Sequence, residues 1–412
     1  MSVNVSAWRA ALAQSWLPEI ERELTDNILS FWMLHALDEE HGGFRGEIRP
    51  DLTVVRGAPK SLVLNARILW TFASAYRVCG DPAYLGMAER AWKELTARFA
   101  DERHGGLYWM LDGEGRPLAE KKQVYGQAFA IYAFAEYHRA TGQEEALKRA
   151  IELFRLLERY SYDPVHGGYV EALARDWSPT DDLSLSGKDL NEKKSMNTHL
   201  HVLEAYTNLL RVWPSDELRG KLRELMEVTL AHIVDANTGH FRLFFDEAWR
   251  VKSDDISYGH DIEGSWLLTE AAETLGDREL MERVRPVAIR MAEATLCEGV
   301  DVDGGIRNEA NPQGLTDPGK DWWPQAEAVV GFFNAFELTG DIRFLDASRN
   351  AWTFIQRFLV DREHGEWFWG VHPDGTPDRQ KPKVGAWKCP YHNARACFEM
   401  KERLTREARF GG

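Results

Sequence analysis

Two kinds of helical pattern alternate along the chain. Amphipathic segments, with apolar side chains on one face only, occupy residues 16–34, 84–99, 145–160, 217–234, 278–296 and 343–360. More uniformly apolar segments occupy residues 65–76, 124–140, 197–212, 260–275, 324–338 and 390–404. A helix that is apolar on most of its surface is buried, so the alternation predicts outer helices that each cover an inner one.

A glycine-rich turn stands between the two members of each pair. The pattern Asp-x-x-His-Gly-Gly occurs at 38–43, 101–106 and 163–168, and degenerate copies occur at 238–241, 303–306 and 364–367. The first glycines are 63, 62, 72, 65 and 61 residues apart, which indicates one structural unit repeated six times. We expect His41, His104 and His166 to hydrogen-bond within their turns, where the glycines supply positive φ.

The boundaries of the inner segments fit this repeat. Four of them are followed by a glycine suited to a left-handed helix cap, at Gly80, Gly142, Gly276 and Gly340. The extended stretch 107–110 before the turn at 112–113 predicts a hairpin. Six helical pairs that close on themselves give an all-α (α/α)6 barrel, one domain over residues 1–412, with short β-hairpins at the active-site end. In such a ring the inner helices are parallel, so their N-termini open on one end of the cavity.

Composition narrows the class of ligand. The hydrophobic fraction of 44% and the charged fraction of 28% are ordinary for a soluble globular enzyme. A net charge of −15, spread along 412 residues, disfavours nucleic acid, anionic membranes and strongly acidic substrates. A neutral small molecule fits best. The first residues show no basic leader followed by an apolar run, so we expect a cytoplasmic protein with neither signal peptide nor transmembrane helix.

The cysteines give no sign of a disulfide framework or a zinc site. Cys79, Cys297, Cys389 and Cys397 are far apart and form no CxxC pair. We expect four reduced, buried thiols.

Functional side chains collect at the starts of the inner segments. The stretch 254–266 places His260 and Glu263 about 60° apart on a helix, on one face, as a candidate acid/base pair with Glu263 as the partner of His260. His392 follows Pro390, which suits the first helical position, and the positive helix end there favours neutral imidazole. Glu263 would instead favour charged His260. Two histidines in different electrostatic settings suit proton transfer on two sides of a substrate.

The third inner segment offers two histidines, of which one can face the cavity. His201 shares a face with Asn197, being about 40° away, whereas His199 lies about 160° from His201. We therefore choose His201 for the site and expect His199 to pack behind it. A metal bound by His201, His260 and His392 is the alternative. Because no two of these histidines have the i, i+4 spacing of helical ligand pairs, we expect no metal.

Aromatic side chains near the same helix starts point to a sugar. Trp266, Trp323 and Trp387 offer flat faces for the C–H face of a pyranose, with polar side chains to meet its hydroxyl groups. The loop 177–195 is long enough to cover or line a site.

Five motifs in order resemble the N-acylglucosamine 2-epimerase superfamily, most closely its cellobiose 2-epimerase branch. They are the stretches 65–67, 195–206, 259–263, 322–327 and 390–393, within a likeness that runs from about residue 21 to 404. The resemblance implies reversible epimerisation at C2 of the reducing-end sugar of β-1,4-linked disaccharides, through ring opening and a cis-enediolate, without a cofactor. It also implies roles for particular residues. His260 and His392 resemble the acid/base pair, Arg67 and His201 the groups that steady the enediolate, Glu263 the partner of His260, and Asn197, Trp266, Trp323, Glu327, Trp387 and, in the loop, Asp189 the sugar-binding positions. Tyr125, at the start of the second inner segment, is a further candidate substrate contact.

The chemistry asks for the same arrangement. Inverting C2 requires one proton to leave one face of a planar intermediate and another to arrive on the opposite face, so two acid/base groups must flank it. Arg67 suits the developing oxyanion. The alternatives are a mannose or N-acylglucosamine 2-epimerase, an aldose–ketose isomerase, a glycoside hydrolase with paired carboxylates at Glu263 and Glu327 or Asp189, and a sugar-binding module. Either a monomer or a homodimer is compatible with the sequence.

Overall fold

The structure is a computed structural model that describes residues 5–187 and 189–406, with side chains from residue 12 onward. In chain order its α-helices are α1 (Val5–Arg22), α2 (Ser30–His35), α3 (Leu62–Cys79), α4 (Pro82–Glu94), α5 (Val124–Thr141), α6 (Glu144–Tyr160), α7 (Met196–Val212), α8 (Asp216–Val228), α9 (Tyr258–Leu275), α10 (Arg278–Ala294), α11 (Trp322–Thr339), α12 (Ile342–Phe354) and α13 (Tyr391–Thr405). The protein is mostly helical, as predicted.

The predicted inner segments are α3, α5, α7, α9, α11 and α13. Each contacts the next in this series, and α13 contacts α3, so the contacts form a closed circuit. The six helices are buried along most of their length because neighbours and outer helices cover them. By contrast, the outer helix α6 buries Ala146, Ala150, Leu153 and Leu157, one stripe at helical spacing.

Most outer helices end in a π-helical turn that leads into the glycine-rich turn. These π-helical segments are Glu23–Leu29, which joins α1 to α2, and Leu95–Phe99, Thr229–Ile233, Thr295–Gly299 and Ile355–Leu359. The first outer helix begins at Val5, earlier than the predicted residue 16. The predicted left-handed caps are confirmed, with φ between 66° and 73° at Gly80, Gly142, Gly276 and Gly340.

Short antiparallel strands tie each repeat to the next at the starts of the inner helices. They are β1 (Lys60–Ser61), β2 (Met110–Leu111), β3 (Pro117–Ala119), β4 (Lys122–Gln123), β5 (Ala172–Leu173), β6 (Lys194–Ser195), β7 (Phe244–Phe245), β8 (Ile256–Ser257), β9 (Glu309–Asn311), β10 (Gly314–Asp317), β11 (Lys320–Asp321) and β12 (Gly370–Val371). The sheets are β1-β2-β3, β4-β5, β6-β7, β8-β9-β10 and β11-β12. The predicted hairpin is β2-β3, and the isolated bridge between Ile48 and Val384 joins the sixth repeat to the first.

The turns are built as the sequence predicts. The backbone N–H of His41, of His104 and of His166 donates to the aspartate that opens its turn, and both glycines of these turns have positive φ. The prediction of four buried thiols is wrong for two of them. Cys79, at the end of α3, and Cys297, in a π-helical segment, are exposed, whereas Cys389 and Cys397 are buried. Within the described chain, no helix is long and apolar enough to cross a bilayer.

Candidate active site

One cavity opens where the inner helices begin. Its walls are formed by Arg67, Tyr125, Asn197, His201, His260, Glu263, Trp322, Trp323, Trp369, Trp387 and His392. Most of these side chains come from the first two turns of different inner helices, which the short strands hold at one end of the ring. The predicted convergence of functional groups on one cavity is therefore confirmed for eight side chains, Arg67, Tyr125, Asn197, His201, His260, Glu263, Trp323 and His392, with Trp387 from the loop before α13.

The repeat fixes which residue reaches the cavity. Counted from residues 62, 124, 196, 258, 322 and 390, the third position of the inner segment is His260 in the fourth repeat and His392 in the sixth. The sixth position holds Arg67, Phe129, His201, Glu263, Glu327 and Arg395. Equivalent positions on parallel helices lie at one depth, so the two histidines form an upper layer and most charged groups a layer one helical turn deeper.

His260 is held by a neutral partner. Its Nδ1 lies 2.7 Å from the hydroxyl oxygen of Ser257, the residue that precedes α9. Burial lowers the pKa of His260 to about 3, and the nearby His201 and Arg67 add to this shift. With Nδ1 engaged, Nε2 is the nitrogen left to meet a substrate. The imidazole of His260 is therefore neutral in the resting site.

His392 is held by a carboxylate instead. Its Nδ1 lies 2.6 Å from Oε1 of Glu327 on α11. Burial, together with Arg67 and Arg395, holds the pKa of His392 well below its usual range, while burial raises the pKa of Glu327. Two titratable groups this close share their protons, so His392 and Glu327 form one coupled pair at the cavity wall.

Trp323 lies between the two histidines. The centre of its indole ring is 4.6 Å from that of His260 and 5.6 Å from that of His392. The indole therefore fixes the spacing of the two imidazoles, and its flat surface borders the same space.

Arg67 and His201 complete the polar wall. The guanidinium of Arg67 donates to the hydroxyl of Tyr125 at 2.8 Å and lies 4.2 Å over the ring of Phe129. Nδ1 of His201 is 2.9 Å from Oε2 of Glu204. Although burial alone would raise the pKa of Glu204, Arg395 and His201 lower it to about 2, so this carboxylate is ionised. A buried cation and an imidazole N–H are well placed to meet an oxyanion.

A buried arginine joins the carboxylates beneath the cavity. Arg395, 1% exposed, donates through Nη1 to Glu204 and through Nη2 to Glu263 at 2.5 Å and Glu327 at 2.7 Å. Its Nη1 also bonds the hydroxyl of Tyr391. Oε2 of Glu263 has no hydrogen-bond partner among the described residues, and burial with the nearby Glu327 raises the pKa of Glu263. One guanidinium therefore fixes the carboxylates that orient His201 and His392.

The structure corrects three predictions about carboxylates. Glu263 is not the partner of His260, because Glu263 bonds Arg395 one helical turn deeper while Ser257 takes Nδ1 of His260. It therefore does not favour charged His260. Glu327 does not line the cavity in the described part, because His392, Arg395 and Trp266 take its oxygens.

Two other predicted sugar contacts also lie elsewhere. Trp266 is 1% exposed and donates to Glu327 at 3.0 Å from behind the cavity wall. Asp189 accepts from Ser186 within the loop 177–195, and none of the loop's described residues lines the cavity. This loop packs on the strand β4, where Gln123 donates to the backbone oxygen of Leu183.

The third inner helix confirms the choice between its two histidines. His199 accepts from the backbone N–H of Tyr169 at 2.9 Å and lies 2.6 Å from the backbone oxygen of Ser195. His199 is therefore part of the packing, whereas His201 lines the cavity. Asn197 also lines the cavity, and its buried Oδ1 has no partner among the described residues. Such an acceptor is available to a hydroxyl group.

Several residues of the site were missed from the sequence. Trp322 and Trp369 line the cavity, and their ring centres are 4.8 Å apart. Ser257 and Arg395 act through other side chains. Trp322 stands beside the predicted Trp323, and Arg395 occupies the sixth helix position that gave Arg67 and His201, so the repeat register could have found both. Trp369 stands four residues after the first glycine of its turn, as Trp109 does in the second repeat, so the repeat register marks its position too.

One group of side chains has the composition of a metal site. Ligand atoms of Glu263, Glu327 and His392 lie within 4.8 Å of one another. The guanidinium of Arg395 already bonds both carboxylates, so the positive charge at this place comes from the chain itself.

Comparisons with known proteins show the family to which the chain belongs. A cellobiose 2-epimerase from Bacteroides fragilis is 48% identical over 383 residues, which cover 93% of this chain and 97% of that protein. The structure of a cellobiose 2-epimerase from Spirochaeta thermophila has a TM-score of 0.88 and 42% identity over 97% of this chain and 98% of that chain. A D-mannose isomerase from Marinomonas mediterranea is 24% identical over 92% of this chain and 96% of that protein. A model of the N-acylglucosamine 2-epimerase family matches residues 42–396, and this chain belongs to that family of carbohydrate epimerases.

Proposed function

We propose that the protein epimerises C2 of the reducing-end glucose of β-1,4-linked disaccharides, such as cellobiose and lactose, and forms the mannose epimer reversibly. The observation that carries this proposal is the pair of imidazoles, His260 and His392, which face one cavity from helices on either side of α11. The 48% identity to a cellobiose 2-epimerase supports the choice of a disaccharide.

The proposed reaction starts from the open-chain sugar. His260, which is neutral, removes the proton from C2 on its side, and the electron pair moves toward C1 to give a cis-enediolate. The pair of His392 and Glu327 then delivers a proton to the opposite face of C2, and the carbonyl group at C1 forms again. After one turnover, His260 therefore has one proton more and the pair of His392 and Glu327 has one proton fewer. The reverse reaction uses the same groups in exchanged roles.

The oxyanion of the enediolate needs donors in a site from which water is largely removed. Arg67 and His201 are proposed for this role, since one such donor contributes roughly 3–4 kcal/mol to the transition state. Tyr125 and Asn197 are proposed to bind hydroxyl groups, with Trp323 and Trp387 against the sugar ring and Trp322 and Trp369 at the same wall.

The architectural part of the proposal is a single (α/α)6-barrel domain over residues 1–412. The closed circuit of contacts through the six inner helices supports it. We also propose that the protein acts in the cytoplasm, without a cofactor, as a monomer or homodimer.

The test is proton NMR of cellobiose with the enzyme in D₂O. We expect a glucosyl-mannose product with deuterium at C2. A ketose as the main product would make the protein an aldose–ketose isomerase, and free glucose would make it a glycoside hydrolase. Parallel reactions with free glucose, mannose and N-acetylglucosamine distinguish a disaccharide enzyme from a monosaccharide 2-epimerase.

The hydrolase alternative finds less support in the geometry. Glu263 and Glu327 both bond Nη2 of Arg395, so they point at one nitrogen rather than flank a glycosidic bond. A sugar-binding module would not need the acid/base pair.

A further inference from the structure

The two repeats that supply His260 and His392 are also the two that depart from the Gly-Gly pair of the turn. The second glycine of the pair is Gly43, Gly106 and Gly168 in the first three turns and Gly305 in the fifth. In the fourth turn this position is His240, and in the sixth it is Glu366. The fourth turn precedes α9 and the sixth precedes α13. Both departures therefore lie beside the helices of the proposed acid and base.

His240 forms a hydrogen bond with Asp261, the residue that follows His260. It is 5% exposed, and its Nδ1 lies 2.7 Å from Oδ2 of Asp261. Its Nε2 lies 3.1 Å from Glu298, and the other oxygen of Asp261 accepts from the backbone N–H of Phe241 at 2.7 Å. Asp261 is thus fixed both to the backbone of the turn and to the imidazole that replaces glycine. This contact sets the rotation of the first turn of α9.

Glu366 forms a corresponding hydrogen bond with Asn393, the residue that follows His392. Its buried carboxylate accepts from Nδ2 of Asn393 at 2.8 Å, from Nζ of Lys388 at 2.6 Å and from Nε1 of Trp32 at 2.7 Å. Its φ is 63°, in the left-handed region that disfavours a side chain. The first three turns place glycine there, with φ between 63° and 77°. Strain of this kind persists only where the surrounding contacts hold it, and it collects at functional sites.

The other repeats fasten the turn differently. A buried lysine two residues before the inner helix bonds an aspartate of the turn at 2.6–3.1 Å, through Lys60, Lys122, Lys194 and Lys320. In the fourth repeat this position is Ile256, and in the sixth Lys388 bonds Glu366 while Lys383, five residues earlier, bonds the turn's Asp361. In the second repeat the side chain of Gln127 makes two hydrogen bonds with the backbone of Leu107, and no side chain of the turn's glycine positions takes part. A titratable side chain in place of the second turn glycine is confined to the repeats of the two histidines.

We propose that His240 and Glu366 are positioning residues for the reaction, an inference that rests on the proposed function. Each fixes the neighbour of a catalytic histidine, and thereby the direction in which Nε2 of that histidine points into the cavity. Neither touches the cavity itself in the described structure. They act through Asp261 and Asn393.

The variants replace each residue by the glycine of the other turns. In His240→Gly the hydrogen bond between the imidazole and Asp261 is lost. In Glu366→Gly combined with Lys388→Met, Asn393 loses its hydrogen bond to the turn. The second substitution removes the buried ammonium group that Glu366 would otherwise leave unpaired. We expect kcat on cellobiose to fall about 10- to 100-fold in each, with KM changed less than about threefold, because a small misplacement of a reacting group is costly. His240→Gln and Glu366→Gln, which keep one hydrogen bond, should retain more activity than the glycine variants.

The matched control is Gln127→Ala. It removes the hydrogen bonds to the Leu107 backbone from a helix that has no histidine in the proposed acid/base pair. We expect it to lower the melting temperature as much as the glycine variants do but to leave kcat within about threefold of the wild type. A fall in kcat that follows melting temperature across all variants, control included, would overturn the proposal.

Isotope effects separate positioning from general loosening. Each epimer loses its C2 proton to one histidine, so slowing one histidine makes removal rate-limiting for one epimer only. With substrates deuterated at C2, we expect His240→Gly to raise the isotope effect for one epimer and the Glu366→Gly, Lys388→Met variant to raise it for the other. The same epimer affected in both, or neither, would contradict the proposal. If the wild type shows no epimerisation, the proposed function fails instead.

Discussion

The two histidines at the cavity occupy equivalent positions in their repeats but are held by different partners. His260 is backed by the neutral hydroxyl of Ser257, whereas His392 is backed by Glu327. A hydroxyl group fixes the orientation of an imidazole without stabilising its charged form, and a carboxylate does both. Equivalent positions in a repeat thus place the two imidazoles, while a neutral partner stands behind one and a titratable partner behind the other.

We propose that this difference between the two partners supplies the proton that epimerisation needs. Epimerisation at C2 needs one group that is free to accept a proton and one that already has a proton to give. Burial lowers the pKa of both imidazoles and raises the pKa of Glu327, so the carboxyl group beside His392 keeps a proton to higher pH than a free carboxyl group does. The proposed reaction takes its proton from this side of the site.

Removing either imidazole should have the largest effect. We expect His260→Ala and His392→Ala each to lower kcat by about 10²–10⁴-fold, because a positioned acid or base contributes that much. Circular dichroism and melting temperature are the controls for an intact fold. A variant that keeps most of its activity would remove that histidine from the mechanism.

Replacing the carboxylate partner should have the next largest effect. In Glu327→Gln the shape is kept, but the carboxyl group that titrates together with His392 is lost. We expect kcat to fall about 10- to 100-fold, since a hydrogen bond to a charged group is worth about 1.5–3 kcal/mol, with little change in KM. Steady-state kinetics on cellobiose measures both constants. If kcat stayed within about twofold, Glu327 would have no part in charging His392.

The sequence predicted the repeat well because periodicity depends on local properties. Turn glycines, helix caps and the difference between outer and inner helices each follow from short stretches of chain. Once parallel inner helices are inferred, residues at helix starts such as His260 and His392 must face one cavity. For that reason most of the cavity wall could be derived before the structure.

Partnerships between side chains could not be derived in the same way. Glu263 shares a helix face with His260, yet it bonds Arg395, which is 132 residues later in the chain. Trp369 comes from the strand region after the sixth turn and reaches the cavity through the pairing of β12 with β11. Such contacts depend on how distant repeats dock. The hydrophobic pattern fixes which face is buried and not which polar groups meet there.

Replacing the neutral partner should have a smaller effect than replacing the charged one. In Ser257→Ala the imidazole of His260 loses one hydrogen bond at Nδ1 and gains rotational freedom. We expect kcat to fall about two- to tenfold, because a neutral hydrogen bond contributes about 0.5–1.5 kcal/mol. Measured beside Glu327→Gln, this variant tests the difference between the two partners. An equal or larger loss in Ser257→Ala would show that the carboxylate partner contributes no more than the hydroxyl partner.

The smallest effect is expected from mild acid. A histidine acts as a base only above its pKa, and an imidazole with the ordinary pKa of 6.5 would be about thirtyfold less available at pH 5 than when fully neutral. Because burial puts the pKa of His260 at about 3, its neutral form persists at pH 5. We therefore expect kcat/KM on cellobiose to change less than about threefold between pH 7 and pH 5, with the decline only at lower pH. A thirtyfold loss at pH 5 would show that His260 has an ordinary pKa.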